Sequence, residues 1–267
     1  MKNYLSPPIP KAFIWKRAHS FTGFWLVLFL MEHLFVNSQA ALYFEDDPIG
    51  FVRAVNGIKE LPFLPIIEIV FLGIPFLIHG IWGIKYLFNA KYNSFPTDGS
   101  SPAILHQPRN RAYTWQRITS WILLVGILAH VVHMRFLHYP ESIEKNGTIS
   151  YVSSIKPDAG IERLSKQFNF YVYKENDQLI AVSPSFGVAE LLLVRETFKS
   201  LTTVFLYTGL VLATCFHAFN GLWTFMISWG VTLTARSQYL MRLLAVSLMV
   251  LTTFLGLSAI WGTYLYG

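Results

Sequence analysis

Five long apolar stretches decide what this chain can be. They run from about Phe21 to Ala41, Pro65 to Phe88, Ile118 to Leu137, Leu201 to Trp229 and Leu243 to Leu265. Each reaches the ~20 residues an α-helix needs to cross a ~30 Å hydrocarbon core. The first is too long for a cleaved signal peptide and ends without a small-residue cleavage site. Composition agrees: 53% of the 267 residues are hydrophobic and only 13% are charged. That charged share is about half of what a soluble domain carries. Disorder is excluded, because it needs low hydrophobicity. The single cysteine, Cys215, excludes a disulfide scaffold and a Cys-rich zinc or iron–sulfur site held by this chain alone. The net charge of +6 then reads as a set of topology markers in a membrane protein, not as a nucleic-acid surface.

The short connections orient the helices. The N-terminal tail carries Lys2, Lys11, Lys16 and Arg17 and no acid. The first connection is acidic, with Glu45, Asp46, Asp47 and Glu60 against Arg53 and Lys59. The second is basic, with Lys85, Lys91, Arg109, Arg111 and Arg117 against Asp98, and the fourth carries Arg236 and Arg242. Lys and Arg therefore alternate sides, which predicts a cytoplasmic N-terminus and a C-terminus outside. The fold class expected is an all-α integral membrane protein, one membrane domain over residues 1–267. Within it, residues 138–198 form an insert outside the membrane between the third and fourth helices. Phe168–Tyr173 and Gln178–Val182 flank a polar turn and read as a β-hairpin, and Asn146-Gly147 is a second turn signal. The insert reads as a small cap, with a binding site as the alternative.

Four histidines lie at membrane depth: His33, His79, His130 and His217, one in each of the first four helices. His19 and His133 lie nearer helix ends, and His106 and His138 read as ordinary loop residues. An ionisable group inside a membrane is costly and marks function by default. His33 is 16 residues past Arg17 and His130 is 13 past Arg117, about 24 and 20 Å from one side. His79 is 14 residues past Pro65 and His217 is 18 past Lys199, about 21 and 27 Å from the other side. The histidines therefore pair at two levels about 15 Å apart, His33 with His130 and His79 with His217. Two neutral imidazoles at one depth suit a haem iron held on both axial sides, with no position open to O2, and so suit electron transfer. Zinc or copper would ask for three or four ligands. For any one histidine, the plainer alternative is a hydrogen bond to a backbone carbonyl.

Neighbouring residues fit two haems. Gly83 follows His79, and Gly221 follows His217, by one helical turn on the same face. Such a glycine clears room for a flat macrocycle or simply lets helices pack closely. Trp15-Lys-Arg17-Ala-His-Ser20 and Trp115-Gln-Arg117-Ile-Thr-Ser120 share a Trp-x-Arg-x-x-Ser pattern, which relates the first two helices to the next two. Arg17 and Arg117 suit haem propionates through bidentate hydrogen bonds, or serve topology alone. Arg135 stands out from the acidic pattern of its side and suits the propionates of a second haem.

These residues resemble a known family. Arg17-Ala-His-Ser20 with Gly23, Glu32-His33-Leu-Phe-Val-Asn37, Leu61-Pro62 before Glu68-Ile69, and His79-Gly-Ile-Trp-Gly83 carry the likeness. So do Trp115-Gln-Arg117-Ile-Thr119, His130 with Arg135, His217-Ala-Phe-Asn-Gly-Leu-Trp223, Ser228-Trp-Gly-Val-Thr232 and Arg236-Ser-Gln238. The chain resembles the membrane anchors of succinate:quinone oxidoreductases (succinate dehydrogenase or fumarate reductase), in the cytochrome b558 form where one five-helix polypeptide carries two b haems. The likeness covers nearly all of the chain except the insert, and the helix-four run is its most specific part.

The resemblance implies a four-helix haem-binding bundle plus a fifth helix in a bacterial cytoplasmic membrane. His33 and His130 would ligate the outer, distal haem, and His79 and His217 the inner, proximal one. A flavoprotein subunit with FAD and an iron–sulfur subunit would dock on the cytoplasmic face and hold the succinate chemistry. Electrons would pass through this anchor to a quinone, menaquinone in this branch, worked at the outer side among membrane lipid. Glu60 is then a candidate for handling quinone protons, or an exposed loop acid. His19 and Ser20 would bind a haem propionate or cap the first helix. Two departures from the family matter: Cys215 stands where some fumarate reductases have a carboxylate, and the insert is longer than the usual connection. Two competing readings remain. One is the cytochrome b anchor of a hydrogenase or formate dehydrogenase, whose catalytic subunits lie outside. The other is a haem-free transporter lined by histidines, which would want acids inside the membrane, where only Glu32 and Glu68 qualify.

Overall fold

The computed structural model describes residues 9–41, 48–89, 94, 108–176 and 178–266. Lys2, Glu45, Asp46, Asp47, Lys91, Asp98 and His106 lie outside the described residues. Five helices are long and apolar enough to cross a membrane: Lys11–Ala41, Leu64–Phe88, Arg109–Leu137, Leu201–Ser228 and Ala235–Tyr266. The protein is thus an all-α membrane protein with a small sheet, as the sequence predicts. The helices outrun the apolar stretches. α1 (Lys11–Ser38) and α5 (Pro108–Val131) begin ten residues before theirs, and α9 (Ala235–Leu257) takes in Arg236 and Arg242, which the sequence placed in a loop. The side chains left exposed are large and apolar, such as Ile69, Phe71, Ile74, Leu77 and Ile81 on the second crossing. Lipid is the solvent that covers such a surface.

The chain packs as two compact units, and the crossing helices contribute to both. One unit gathers Met1–Phe29, Ile66–Trp121 and Phe216–Ser247, and it holds His79 and His217. In it, α3 (Leu64–Glu68) runs through a widened turn at Ile69–Gly73 into α4 (Ile74–Phe88). Pro75 is the cause. It has no N–H for the carbonyl four residues back, Phe71, and its ring crowds that carbonyl. The Phe71 carbonyl instead accepts from the Trp25 indole at 2.6 Å. The loss of a helical hydrogen bond is made good from a neighbouring helix, as an apolar setting requires.

The other unit gathers Leu30–Pro65, Ile122–Cys215 and Leu248–Gly267, and it holds His33 and His130. Its membrane helices pack through small residues: Gly256 meets Val211 and Leu34, and Gly262 lies against Ala41. The insert folds here as a four-stranded antiparallel sheet in the order β1-β2-β4-β3. β1 (Glu141–Lys145) and β2 (Thr148–Ile155) are joined by Asn146-Gly147, both at positive φ, the two-residue turn that suits the twist of a hairpin. β3 (Tyr171–Glu175) and β4 (Gln178–Ser183) form the hairpin predicted around Lys-Glu-Asn-Asp, with Glu175 opposite Gln178. That hairpin starts three residues later than expected. α6 (Ile161–Phe168) buries Ile161 and Leu164, and Asn169 in the left-handed region turns the chain before the strand begins.

Two helices that the sequence pattern does not separate from loop complete this unit. α2 (Ile49–Lys59) is amphipathic and buries Phe51 and Val52. α7 (Phe186–Thr197) is buried along nearly its whole length. Ser185 caps α7 by accepting from the Val188 N–H. Asn56 of α2 bonds the same end, donating to the Ser185 hydroxyl at 2.9 Å and accepting from the Gly187 N–H at 2.7 Å. The approach is close: a Cβ on Gly187 would lie 2.5 Å from the Val52 carbonyl oxygen. Two basic residues, Arg195 and Lys199, hold the half-buried Asp158 at 3.7 and 2.9 Å.

Candidate haem sites

The structure brings the four histidines together as the two pairs that depth arithmetic suggests. In the first unit the rings of His79 and His217 have centres 6.2 Å apart, nearly perpendicular at 83°. In the second the rings of His33 and His130 are 5.9 Å apart at 76°. A metal–imidazole bond is about 2 Å, so two rings on opposite sides of one metal have centres about 6 Å apart. Both spacings match that requirement. Among the described residues, no group of three or more His, Cys, Asp or Glu converges as a metal site.

The ring nitrogens decide whether these histidines can act as ligands. A ligating imidazole usually donates its second N–H to an acceptor, which fixes its tautomer. His79 Nδ1 lies 3.0 Å from the His19 carbonyl, and His19 Nδ1 lies 3.1 Å from the His79 carbonyl. A carbonyl only accepts, so both Nδ1 atoms carry the hydrogen and the Nε2 of each keeps its lone pair. His217 Nδ1 lies 3.4 Å from the Thr119 hydroxyl. That hydroxyl spends its own hydrogen on the Trp115 carbonyl at 2.8 Å, so it accepts from His217. His130 Nδ1 lies 3.3 Å from the Tyr207 hydroxyl. His79, His217 and His130 are therefore held through Nδ1, which leaves Nε2 for a metal.

Local sequence sets these positions. His79 follows Pro75 by four residues and so shares its face of α4. Gly23 lets the His79 ring lie against α1: a Cβ there would be 2.7 Å from ring carbon Cε1. The His19 ring stacks on His79 with centres 4.1 Å apart. On α8 (Leu201–Ser228) Asn220 donates to Gln116 at 2.7 Å, and Gln116 donates to the His217 carbonyl at 3.1 Å, which ties α8 to α5 beside the ligand. Gly83 and Gly221 face His19 and Gln116 with room for a Cβ at ordinary contact, 3.7 Å in each case.

The other expected residues fall as follows. Arg17 donates to the Ser228 carbonyl and lies 5.0 Å from the ring centres of both Phe13 and Trp229. Ser20 accepts from the Trp229 indole at 3.2 Å. Both therefore sit at the end of α8 in the same unit as His79 and His217. Arg117 lies 3.4 Å over the Tyr113 ring in that unit. Arg135 lies 4.6 Å over the Tyr139 ring in the other. Glu60 is exposed at the end of α2, with its N–H on the Asn56 carbonyl at 3.0 Å, and its neighbour Lys59 reaches the Tyr139 hydroxyl at 3.3 Å. His138 is no ordinary loop residue, since its ring packs 4.3 Å from that of His133. Sequence reasoning misses Thr119 and Tyr207 as partners of His217 and His130. Their only signal is a hydroxyl on a helix that carries or faces a ligand.

With the geometry in view, the likeness to known proteins acquires a physical content. Over 252 residues the chain is 26% identical to the succinate dehydrogenase cytochrome b558 subunit of Bacillus subtilis (strain 168). The match covers 94% of this chain and 96% of that one. The resemblance to succinate dehydrogenase cytochrome b anchors holds along the chain. No family model matches it, and no solved structure does. The match to the cytochrome b558 subunit leaves out so few residues that it spans the stretch from His33 to His217, which holds all four paired histidines.

Proposed function

We propose that this chain is the dihaem cytochrome b membrane anchor of a succinate dehydrogenase. It carries electrons between an iron–sulfur subunit on the cytoplasmic side and a membrane quinone, menaquinone, at the outer side. The observation that carries the reading is the pair of histidine pairs, with ring centres 5.9 and 6.2 Å apart and with Nδ1 engaged at His79, His217 and His130. Two b haems, which His79 with His217 and His33 with His130 would hold, would supply one-electron transfer. The chain's own residues do the rest. His79 and His217 present Nε2 lone pairs at one level, and His33 and His130 form the pair of the second.

The alternation of Lys and Arg supports a cytoplasmic N-terminus, with the His79–His217 level nearer that side. Arg17, His19, Ser20 and Arg117 belong to the His79–His217 unit and would pair with the carboxylates that a macrocycle carries. Arg135 offers the same on the His33–His130 unit. A flavoprotein subunit with FAD and the iron–sulfur subunit would dock against the cytoplasmic connections. Glu60, exposed beside Lys59, would exchange quinone protons with water. Succinate is a weak reductant for menaquinone, and one charge moved across the membrane, worth about 2.3 kcal/mol per 100 mV, would assist that uphill direction.

The haem-to-protein ratio of the purified chain, read by pyridine haemochrome with a reduced-minus-oxidised spectrum, tests this. Two b haems per chain with a six-coordinate, bis-imidazole signature are expected. A well-folded preparation without haem would return the histidines to helix-to-helix hydrogen bonding and sink the proposal. Glu60→Gln should slow quinone reduction about 10-fold or more and leave both haems in place, the scale of a lost proton-transfer group.

A further inference from the structure

His130 differs from His79 and His217 in what its Nδ1 meets. His79 faces a carbonyl and His217 a hydroxyl already spent on its own helix, but Tyr207 is shared. Its hydroxyl lies 3.3 Å from His130 Nδ1 and 2.9 Å from His133 Nδ1. The Tyr207 ring is fixed edge-on by Phe198, with centres 5.3 Å apart, and packs edge-on to His130 at 5.6 Å. A phenol has one hydrogen to give and can accept another. On the haem reading, His130 ligates through Nε2 and gives its Nδ1 hydrogen to the Tyr207 oxygen, which leaves the phenol hydrogen for His133 Nδ1.

We propose that Tyr207 is the positioning residue for His130: with His133 behind it, it sets the tautomer and electron-donating strength of this ligand, and through them the reduction potential of one haem. The proposal rests on the haem reading above. A hydrogen bond accepted from Nδ1–H makes an imidazole more basic and favours oxidised iron, so it lowers the potential of the site. Donation by Tyr207 to His133 strengthens its oxygen as an acceptor, because hydrogen bonds in a chain polarise one another. At the other level the bonds of His79 are of another kind. His19 and His79 are joined through backbone carbonyls, which cannot reverse direction.

The test is Tyr207→Phe in the whole complex, where only the hydroxyl is lost. Haem content is measured first, then the midpoint potentials by optical redox titration, then the low-temperature electron paramagnetic resonance of the oxidised form. The expected result is two haems per chain, one midpoint raised, the other unmoved, and a changed low-field g value for one centre only. Both midpoints and both g values unchanged at full haem content would overturn the proposal. Should Tyr207→Phe lose a haem, His133→Leu decides. It keeps the hydroxyl and removes only the group that polarises it, so a smaller upward shift of the same midpoint supports the proposal and an unmoved midpoint overturns it. Absence of haem in the parent protein is a different failure, that of the haem reading itself.

Discussion

The two histidine levels solve one problem in two ways. In the His79–His217 unit the rings are fastened by groups with no choice of direction: a backbone carbonyl for His79, and a threonine hydroxyl whose hydrogen is already committed for His217. In the His33–His130 unit the fastening at His130 is a phenol shared with another histidine. His79 is fastened to backbone, and the threonine hydroxyl that fastens His217 has its own direction fixed by backbone. At His130 the fastening runs from side chain to side chain, so single substitutions can adjust it. One level is built as a fixed element and the other as a tunable one.

The comparison breaks most sharply when the ligands are removed. His217→Leu and His130→Leu should each cost one haem of two and leave the other, and the pyridine haemochrome ratio reads this directly. Loss of both haems from either variant would mean that the levels are not independent. Next in size is Gly23→Ala. Its Cβ would meet the His79 ring at 2.7 Å, and that ring is held by its bond to His19 and by stacking. Haem loading of the His79–His217 level should fall, and the His33–His130 level should keep its spectrum.

Gly187→Ala probes the cap of the second unit. The new carbon would press on the Val52 carbonyl, which is backbone and cannot turn aside, at a cost of about 1–3 kcal/mol typical of overpacking. The melting temperature of the complex should drop with the haem ratio intact.

The smallest expected effect is pH-dependent. Burial pushes the carboxyl of Glu190 on α7 up to about 7, against the pull of Arg135 and Lys59. The folded chain then holds this proton more tightly than the unfolded one. Its contribution to stability is complete below the ordinary carboxylate range and is lost as the pH rises through about 7. Glu190→Gln should flatten that part of the melting profile between pH 5 and 8. An unchanged profile would show that Glu190 does not titrate there.

Much of the fold and of the histidine pairing is legible in the amino-acid sequence. Five crossings follow from run length, because a helix in lipid must satisfy its own backbone and a run of ~20 apolar residues has no other use. The four candidate ligands follow from the cost of an imidazole in hydrocarbon, and the pairing from counting about 1.5 Å per residue. What counting does not give is rotation about each helix axis. Whether the Tyr207 hydroxyl faces His130 or lipid depends on that rotation, and neither spacing nor composition carries the information. The insert is half legible for a similar reason. Asn146-Gly147 and the alternation in β4 are local signals and read correctly. α7 is a short apolar run, and part of its cover, α2, lies more than a hundred residues away in the chain. The start of β3 moves because Asn169 adopts a left-handed turn that a strand pattern does not encode.

α7 has a consequence for how the protein is made. Its twelve residues include Leu191, Leu192, Leu193 and Val194 in a row, yet they span only about 18 Å as a helix, short of a bilayer. The machinery that inserts nascent helices meets this segment before α8 emerges. Were it taken for a crossing, the count would become six, and an even count puts both ends of a chain on one face. Asn56 and Ser185, by seizing the start of α7, give it a berth in protein, and so help keep the number of crossings odd.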